Sequence, residues 1–400
     1  MMKRRDFLRN SALAAAGTLF VPAFMKPFEA LALDELSQYK NLVVVQLSGG
    51  NDGLNTVIPF GNDIYYQKRK SIGIKPENVI KLNDMQGLNP NLAALQQIYD
   101  QGWMTIINDV GYPNPDRSHF RSMDIWQTGS DSNQFLSTGW IGRYLDSNCD
   151  TCKLPYSAIE VDDSLSLALK GQIKKGIALK DPNVLFRNTN EAFFKQMVNN
   201  SKDNLDEANL GYLYKTMIET SSSANYIQQT SKIYQSKATY PNSGFANQLK
   251  TVSKFISSGL KTKVYYVSLS GFDTHVNQLN QQGNLLKQYA EGMSAFLNDL
   301  KQHEKLEDTL VITFSEFGRR VEQNASNGTD HGTANNMFLF GGKLKKQGIY
   351  NPAPDLANLE SGDLKYQVDF REVYGTILDK WLDVSNQQIL NKKFQSMDFI

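Results

Sequence analysis

Four runs rich in β-branched and aliphatic residues, at 41–47, 104–108, 263–269 and 309–314, each give way to a polar turn, and this repetition is the strongest constraint on the fold. Their apolar character is nearly continuous rather than alternating, the pattern of strands covered on both faces in a largely parallel sheet. Helical spacing fills the intervals at 91–101, 118–127, 284–303 and 370–382. The expected class is therefore α/β, a doubly wound, mostly parallel sheet flanked by helices. From about 188 to 259 the chain turns rich in Asn, Gln, Ser, Lys and Tyr, with apolar residues at helical intervals and no clear strand. That block reads as a helical insertion, either a cap over the strand ends or a layer packed on the sheet.

Open α/β sheets assemble their sites beyond the carboxyl ends of the strands, so the polar turns there carry the functional reading. Of the four histidines, His119, His275 and His331 stand in polar clusters at strand-to-loop transitions, whereas His303 reads as a solvated helix end. Ser48-Gly49-Gly50-Asn51-Asp52-Gly53 follows the first strand, where glycines permit a tight turn and leave Asp52 to face a cation. Phe272-Asp273-Thr274-His275 follows the third, and Thr329-Asp330-His331-Gly332 precedes the apolar run 337–340. Each of the last two offers a carboxylate beside an imidazole, a donor pair suited to zinc or manganese. Either pair alone also fits a loop cap or a supporting hydrogen bond. Together with Asp52 they make a metal site the expectation.

Asp116-Arg117-Ser118-His119-Phe120-Arg121 opens a helix after the second strand. A serine there sits at the positive end of the helix dipole, which would stabilise an alkoxide or a bound anion. The same position suits an ordinary N-cap, with Arg117 and Arg121 as surface charges.

Lys plus Arg total 42 and Asp plus Glu 41, which offers no broad positive field for nucleic acid. The net charge of +1 owes much to residues 1–32, with Lys3, Arg4, Arg5, Arg9 and Lys26 against Asp6 and Glu29. Arg4-Arg5-Asp6-Phe7-Leu8-Arg9 leads an uncharged stretch from Asn10 to Met25, and Ala30-Leu31-Ala32 supplies a small-x-small cleavage pattern. The segment resembles a twin-arginine export signal. It is shorter than the roughly 18–20 apolar residues of a span, so no stable membrane span is expected after cleavage. The expected organisation is a signal peptide over 1–32 and one domain over 33–400, periplasmic or otherwise exported by the twin-arginine translocase. The only cysteines, Cys149 and Cys152, lack two further zinc ligands nearby and read as a small disulfide in an oxidising compartment, against a redox-active pair.

The paired arginines, Gly49-Gly50-Asn51-Asp52-Gly53, Arg117-Ser118-His119-Phe120, Phe272-Asp273-Thr274-His275, Ser315-Glu316-Phe317-Gly318-Arg319 and Thr329-Asp330-His331-Gly332 together resemble the bacterial family called domain of unknown function 1501. That family is regarded as a relative of the alkaline phosphatase and sulfatase superfamily. The resemblance implies an alkaline-phosphatase-like core and one or two divalent ions, zinc or manganese before calcium or magnesium. It also implies Asp52, Asp273, His275, Asp330 and His331 as ligands and Ser118 as nucleophile. Two-metal members usually supply a further histidine downstream, and none follows His331. His119 or Glu316 fills that place, or one metal binds, or the chemistry has been lost.

The reading is an exported hydrolase of phosphate or sulfate esters, with Arg117, Arg121 or Arg319 holding the anionic oxygens and Glu316 a ligand, a base or a partner of Arg319. The alternative is a periplasmic binding or assembly protein that keeps the fold without turnover. A redox protein using Cys149 and Cys152 is the third reading.

Overall fold

The computed structural model describes residues 39–147, 154–201, 208–232, 234, 236 and 238–400. The expected signal segment at 1–32 and the Cys149/Cys152 pair lie outside them.

The main sheet contains β1 (Asn41–Ser48), β2 (Met104–Gly111), β3 (Ala158–Glu160), β4 (Ile177–Ala178), β5 (Val264–Ser270), β6 (Thr309–Phe314), β7 (Asn335–Phe340), β8 (Gly348–Ile349) and β9 (Val368–Asp369). Their order is β8-β2-β7-β6-β1-β5-β3-β4, with β9 also on β2. β1 runs parallel to both β5 and β6, pairing Val44 with Tyr266 and with Ile312. β7 alone is antiparallel, to β2 and to β6. The carboxyl ends of β1, β2, β5 and β6 and the start of β7 therefore share one edge, and every sequence cluster falls there.

Alternate residues of each central strand enter two separate cores. Val43, Val45 and Leu47 of β1 join Val267 and Val311 on one face, while Leu42 and Val44 join Tyr266 and Ile312 on the other. Each such side chain contributes about 1.5–3 kcal/mol when fully buried, which is why strands in this position cannot afford polar alternation. Helices α1 (His119–Thr128) and α6 (Phe370–Lys380) cover the second face through Ile125, Trp126, Val373 and Ile377.

The first face is covered by α4 (Gly244–Ser257) and α5 (Gln278–Gln302). Helices also occupy the preceding polar block, with α2 (Ala192–Ser201) and α3 (Ala208–Ser231). Ile227 of α3 and Phe245, Leu249, Val252 and Phe255 of α4 enter the same core as Tyr265 and Tyr289, so this part of the block is a layer on the sheet rather than a cap.

Two helical expectations shift for physical reasons. Pro90 starts a 3-10 turn over Pro90–Leu95 before a short α-helix at Gln96–Asp100. α5 begins six residues before 284 because its first polar residues, Gln278 and Gln282, point inward. His303 is not a plain solvated end either, since its Nδ1 lies 3.0 Å from the Tyr234 hydroxyl and 2.8 Å from the Asp299 carbonyl. Among the described residues no helix is long and apolar enough to cross a membrane.

Candidate metal centre

Gly49 and Gly50 make the turn after β1 with φ of 118° and 70°, in the region that favours glycine. A Cβ on Gly49 would lie 2.5 Å from the Asp273 amide nitrogen, so the two loops touch only because a side chain is missing. Arg319 fixes this contact. Its Nε donates to Gly50 O at 2.6 Å, Nη1 to Thr329 O at 2.8 Å, and Nη2 to Gly49 O at 2.5 Å and Asp273 Oδ1 at 2.7 Å. The guanidinium is buried and ties together all three loops that carry the clusters.

Around Asp273 the three imidazoles from distant parts of the chain converge. Asp273 Oδ1 lies 3.0 Å from His275 Nε2, 3.3 Å from His331 Nε2 and 3.5 Å from His119 Nε2. Donor atoms of His119, Asp273 and His331 all lie within 4.8 Å of one another. His275 flanks this trio, with its Nε2 3.0 Å from His331 Nε2.

Each ring is held from behind through Nδ1. His119 Nδ1 faces Glu316 Oε1 at 2.8 Å, His331 Nδ1 faces the Arg117 carbonyl at 2.8 Å, and His275 Nδ1 faces Asp330 Oδ1 at 3.3 Å. Acceptors there place the proton on Nδ1 and leave the Nε2 lone pairs aimed inward, as in metal-binding imidazoles. Two such lone pairs 3.0 Å apart, on His275 and His331, repel unless a proton or a metal ion lies between them. His119 Nε2 is buried and has no hydrogen-bond partner among the described residues. This donor set, three imidazoles and one carboxylate, fits a zinc-type ion.

The electrostatics agree in sign for the carboxylate. Burial would raise the Asp273 pKa, but the Arg319 hydrogen bond and charge, with His331 and His275, hold it at about 2. The hydrogen bond from Asn324 and the neighbouring His275 lower that of Asp330. Burial lowers His331, against its bond to the Arg117 carbonyl, and so favours the neutral ring. The hydrogen bond to Glu316 raises His119, so a metal would have to displace a proton there. Asp273 is about half exposed, at 48%, and opens toward a cleft lined by Ser48, Gly49, His119, Phe120, Met123 and Gly271.

Asp273, His275 and His331 are thus brought together, and His119 joins them. Asp330 and Glu316 stand behind His275 and His119, each facing a ring nitrogen turned away from the centre; Glu316 is nearly fully buried and also accepts the Gly49 amide at 2.8 Å. Asp52 is not part of the group. It forms a two-pronged ion pair with buried Arg69, with Nη2 3.0 Å from Oδ1 and Nη1 on Oδ2, and it accepts Gln278 Nε2 at 2.5 Å. Arg69 carries no local signal of this role, standing between Lys68 and Lys70 in a run of three bases.

The three arginines expected to hold an anion are engaged elsewhere. Arg319 serves the loop carbonyls. Arg121 donates to Ser132 O at 2.8 Å and lies 3.8 Å over the Phe135 ring, and Arg117 pairs with Asp363. Ser118 occupies the N-cap position of α1, but its hydroxyl makes no capping bond. Asp116 accepts the Ser118 amide at 2.7 Å instead.

These features define an α/β protein with a His/Asp cluster at the carboxyl edge of its sheet. Residues 108–391 match the family described as "Protein of unknown function (DUF1501)", and the chain belongs to that family. No curated protein matches it. Among solved structures it is similar to the PsFucS1 sulfatase from Pseudoalteromonas sp., at 12% identity over 94% of this chain and 73% of that one, with a TM-score of 0.42. It is also similar to the C-terminal periplasmic domain of EcEptC from Escherichia coli in complex with Zn, at 11% identity over 76% and 74%, TM-score 0.35. A third is a protein in the alkaline phosphatase superfamily from Vibrio parahaemolyticus, at 10% over 79% and 63%, TM-score 0.35.

Proposed function

We propose that the protein is a metal-dependent hydrolase of phosphate or sulfate esters, exported to the periplasm through the twin-arginine pathway. The observation that carries this reading is the convergence of three Nε2 atoms and one carboxylate oxygen, each ring held at Nδ1 by its own acceptor. His119, Asp273 and His331 would hold the ion, with His275 completing its shell or sharing a second one. A divalent metal bound there supplies Lewis-acid polarisation of the ester.

The chain's own contribution centres on Ser118. Its hydroxyl makes no cap bond, and both its neighbours are tied to the cluster, Arg117 through its carbonyl to His331 and His119 through Nδ1 to Glu316. Ser118 Oγ would bond to phosphorus or sulfur as the ester bond to the alcohol breaks, its proton passing through solvent to the departing oxygen. Water then cleaves the seryl ester and restores the hydroxyl. Glu316 keeps the His119 ring oriented throughout.

The engagement of Arg117, Arg121 and Arg319 favours a second reading, a binding or assembly protein that holds a metal without turnover. One experiment separates them. Metal content and hydrolysis of phosphate mono- and diesters and sulfate esters are measured for wild type, His331→Ala and Ser118→Ala. The hydrolase reading expects His331→Ala to lose metal, and Ser118→Ala to keep metal and fold while turnover falls by orders of magnitude. Acid-quenched mass spectrometry should find the adduct on the Ser118 peptide. Metal-loaded wild type inert toward every ester would favour the binding reading, and full metal in His331→Ala would remove the centre itself.

A further inference from the structure

The first turn of α1 brings a second side chain to the centre besides His119. Phe120 is 88% exposed, and its ring lines the same cleft as His119 and Asp273. Left in water, the ring forgoes the favourable burial that Ile125 and Trp126 obtain further along the helix. Single exposed apolar residues are common, so the place of this one decides its meaning. A group that reaches the centre through the cleft passes beside Phe120.

The cleft encloses about 330 Å³, room for one ring or a short chain, and its walls differ in kind. One wall is apolar. Phe120 and Met123 are spaced i, i+3 and share a face of α1, and Met123 is half-buried against the core that this helix covers. Apolar surface thus continues from that core through Met123 to Phe120 at the mouth. The other wall is small-residue backbone, Ser48 and Gly49 at the end of β1 and Ser270 and Gly271 at the end of β5. Ser48 and Ser270 are register partners, so the two turns leave the sheet side by side. Gly49 and Gly271 hold φ of 118° and 109°, where a side chain is disfavoured, and this keeps the slot open.

Charge narrows the choice of occupant. Asp273 and Glu316 are the carboxylates of the lining, and no lysine or arginine joins them among the described residues. Glu316 is engaged by His119 Nδ1 and the Gly49 amide, and Asp273 by Arg319 and the imidazoles. An anionic substituent would meet carboxylates with no cation to answer it, and an ammonium would find both carboxylates already taken. A neutral, apolar group fits.

We propose that this slot takes the alcohol portion of the ester and selects an uncharged apolar one, an aromatic ring or an alkyl chain, packed on Phe120. The proposal rests on the ester-hydrolase reading for what the centre holds. It makes Phe120 a specificity-determining residue, acting through burial and, for an aromatic alcohol, through ring packing as well.

The test is calorimetric titration of benzyl, hexyl and methyl phosphonates, and of the matching sulfonates, into the full chain saturated with ZnCl2. Their P–C and S–C bonds resist hydrolysis, so binding is read without turnover. In the phosphonate or the sulfonate series, wild type should bind the benzyl or hexyl compound about tenfold or more tightly than the methyl one. Phe120→Ala should bring that ratio below about threefold while keeping the metal content and methyl affinity of wild type. Phe120→Tyr keeps the ring and should keep the ratio. A larger benzyl ratio assigns an aromatic alcohol, and a larger hexyl ratio an aliphatic one. Failure of the hydrolase reading looks different: the ratio stands and Phe120→Ala abolishes it, which supports the slot, but the corresponding phosphate and sulfate esters are not turned over. Equal affinities in wild type, no binding of any of the compounds, or a ratio unchanged in Phe120→Ala overturns the proposal.

Discussion

Replacing Asp52 by asparagine separates two roles that the turn after β1 can play. Arg69 is 1% exposed and, besides its two bonds to Asp52, donates to Val321 O at 3.0 Å, Arg320 O at 2.9 Å and Asn55 Oδ1 at 2.8 Å. Asp52→Asn leaves that guanidinium hydrogen-bonded but electrically uncompensated. Breaking one side of a buried pair costs about 3–5 kcal/mol. Unfolding entropy of roughly 2.1 cal/mol/K per residue gives about 0.8 kcal/mol/K for a chain of this length, so Tm should fall by about 4–6 °C. Differential scanning calorimetry reads the shift, and elemental analysis of the same sample should find the metal content of wild type. Asp52→Asn combined with Arg69→Met removes both charges and should recover part of the loss, because a buried pair replaced by apolar groups is often neutral. A single variant that loses metal while keeping its Tm would make Asp52 a ligand, and a double variant no better than the single would refute the ion-pair argument.

Arg319→Lys should lower stability by about 3 kcal/mol or more and reduce metal content with it, since an ammonium cannot reach the four loop carbonyls and Asp273 together; thermal melts and elemental analysis check both. Burial pushes the Asp109 pKa up to about 7, above its value in the unfolded chain, so the folded protein binds the extra proton and this group's contribution to stability is lost as pH rises from about 4 through 7. Asp109→Asn should therefore gain on wild type across that window by up to roughly 3 kcal/mol, measured by urea melts at pH 4.5 and 8, and a difference independent of pH would contradict the buried-carboxylate account. N-terminal sequencing of the exported protein should begin near Leu33, and export unaffected by changing Arg4 and Arg5 to lysine would remove the twin-arginine reading.

The parts of this protein legible in its sequence are those governed by apolar periodicity. β6 spans the expected residues, β1 runs one residue longer and β5 is shifted by one residue at both ends, because a strand covered on both faces has no alternative to a continuous run such as Leu42-Val43-Val44-Val45. The three Asp and His motifs were visible for a related reason: parallel strands deliver their following turns to a common edge whatever the intervening chain does. Hidden from the sequence was the pairing of charges once they arrived there. Asp52 carries the same local signal as Asp273, yet one meets Arg69 and Gln278 inside the fold and the other meets three imidazoles at its surface. Those partners lie 17 to 226 residues away from Asp52, and no periodicity encodes them. The same blindness explains the early start of α5, where Gln278 and Gln282 look like a solvated face by composition but are buried because their amides serve Asp52 and Asn51. Polar residues are assigned outward by default, so a fold that uses glutamines and arginines to hold this edge in shape conceals the edge's scaffold while leaving its imidazoles in plain view.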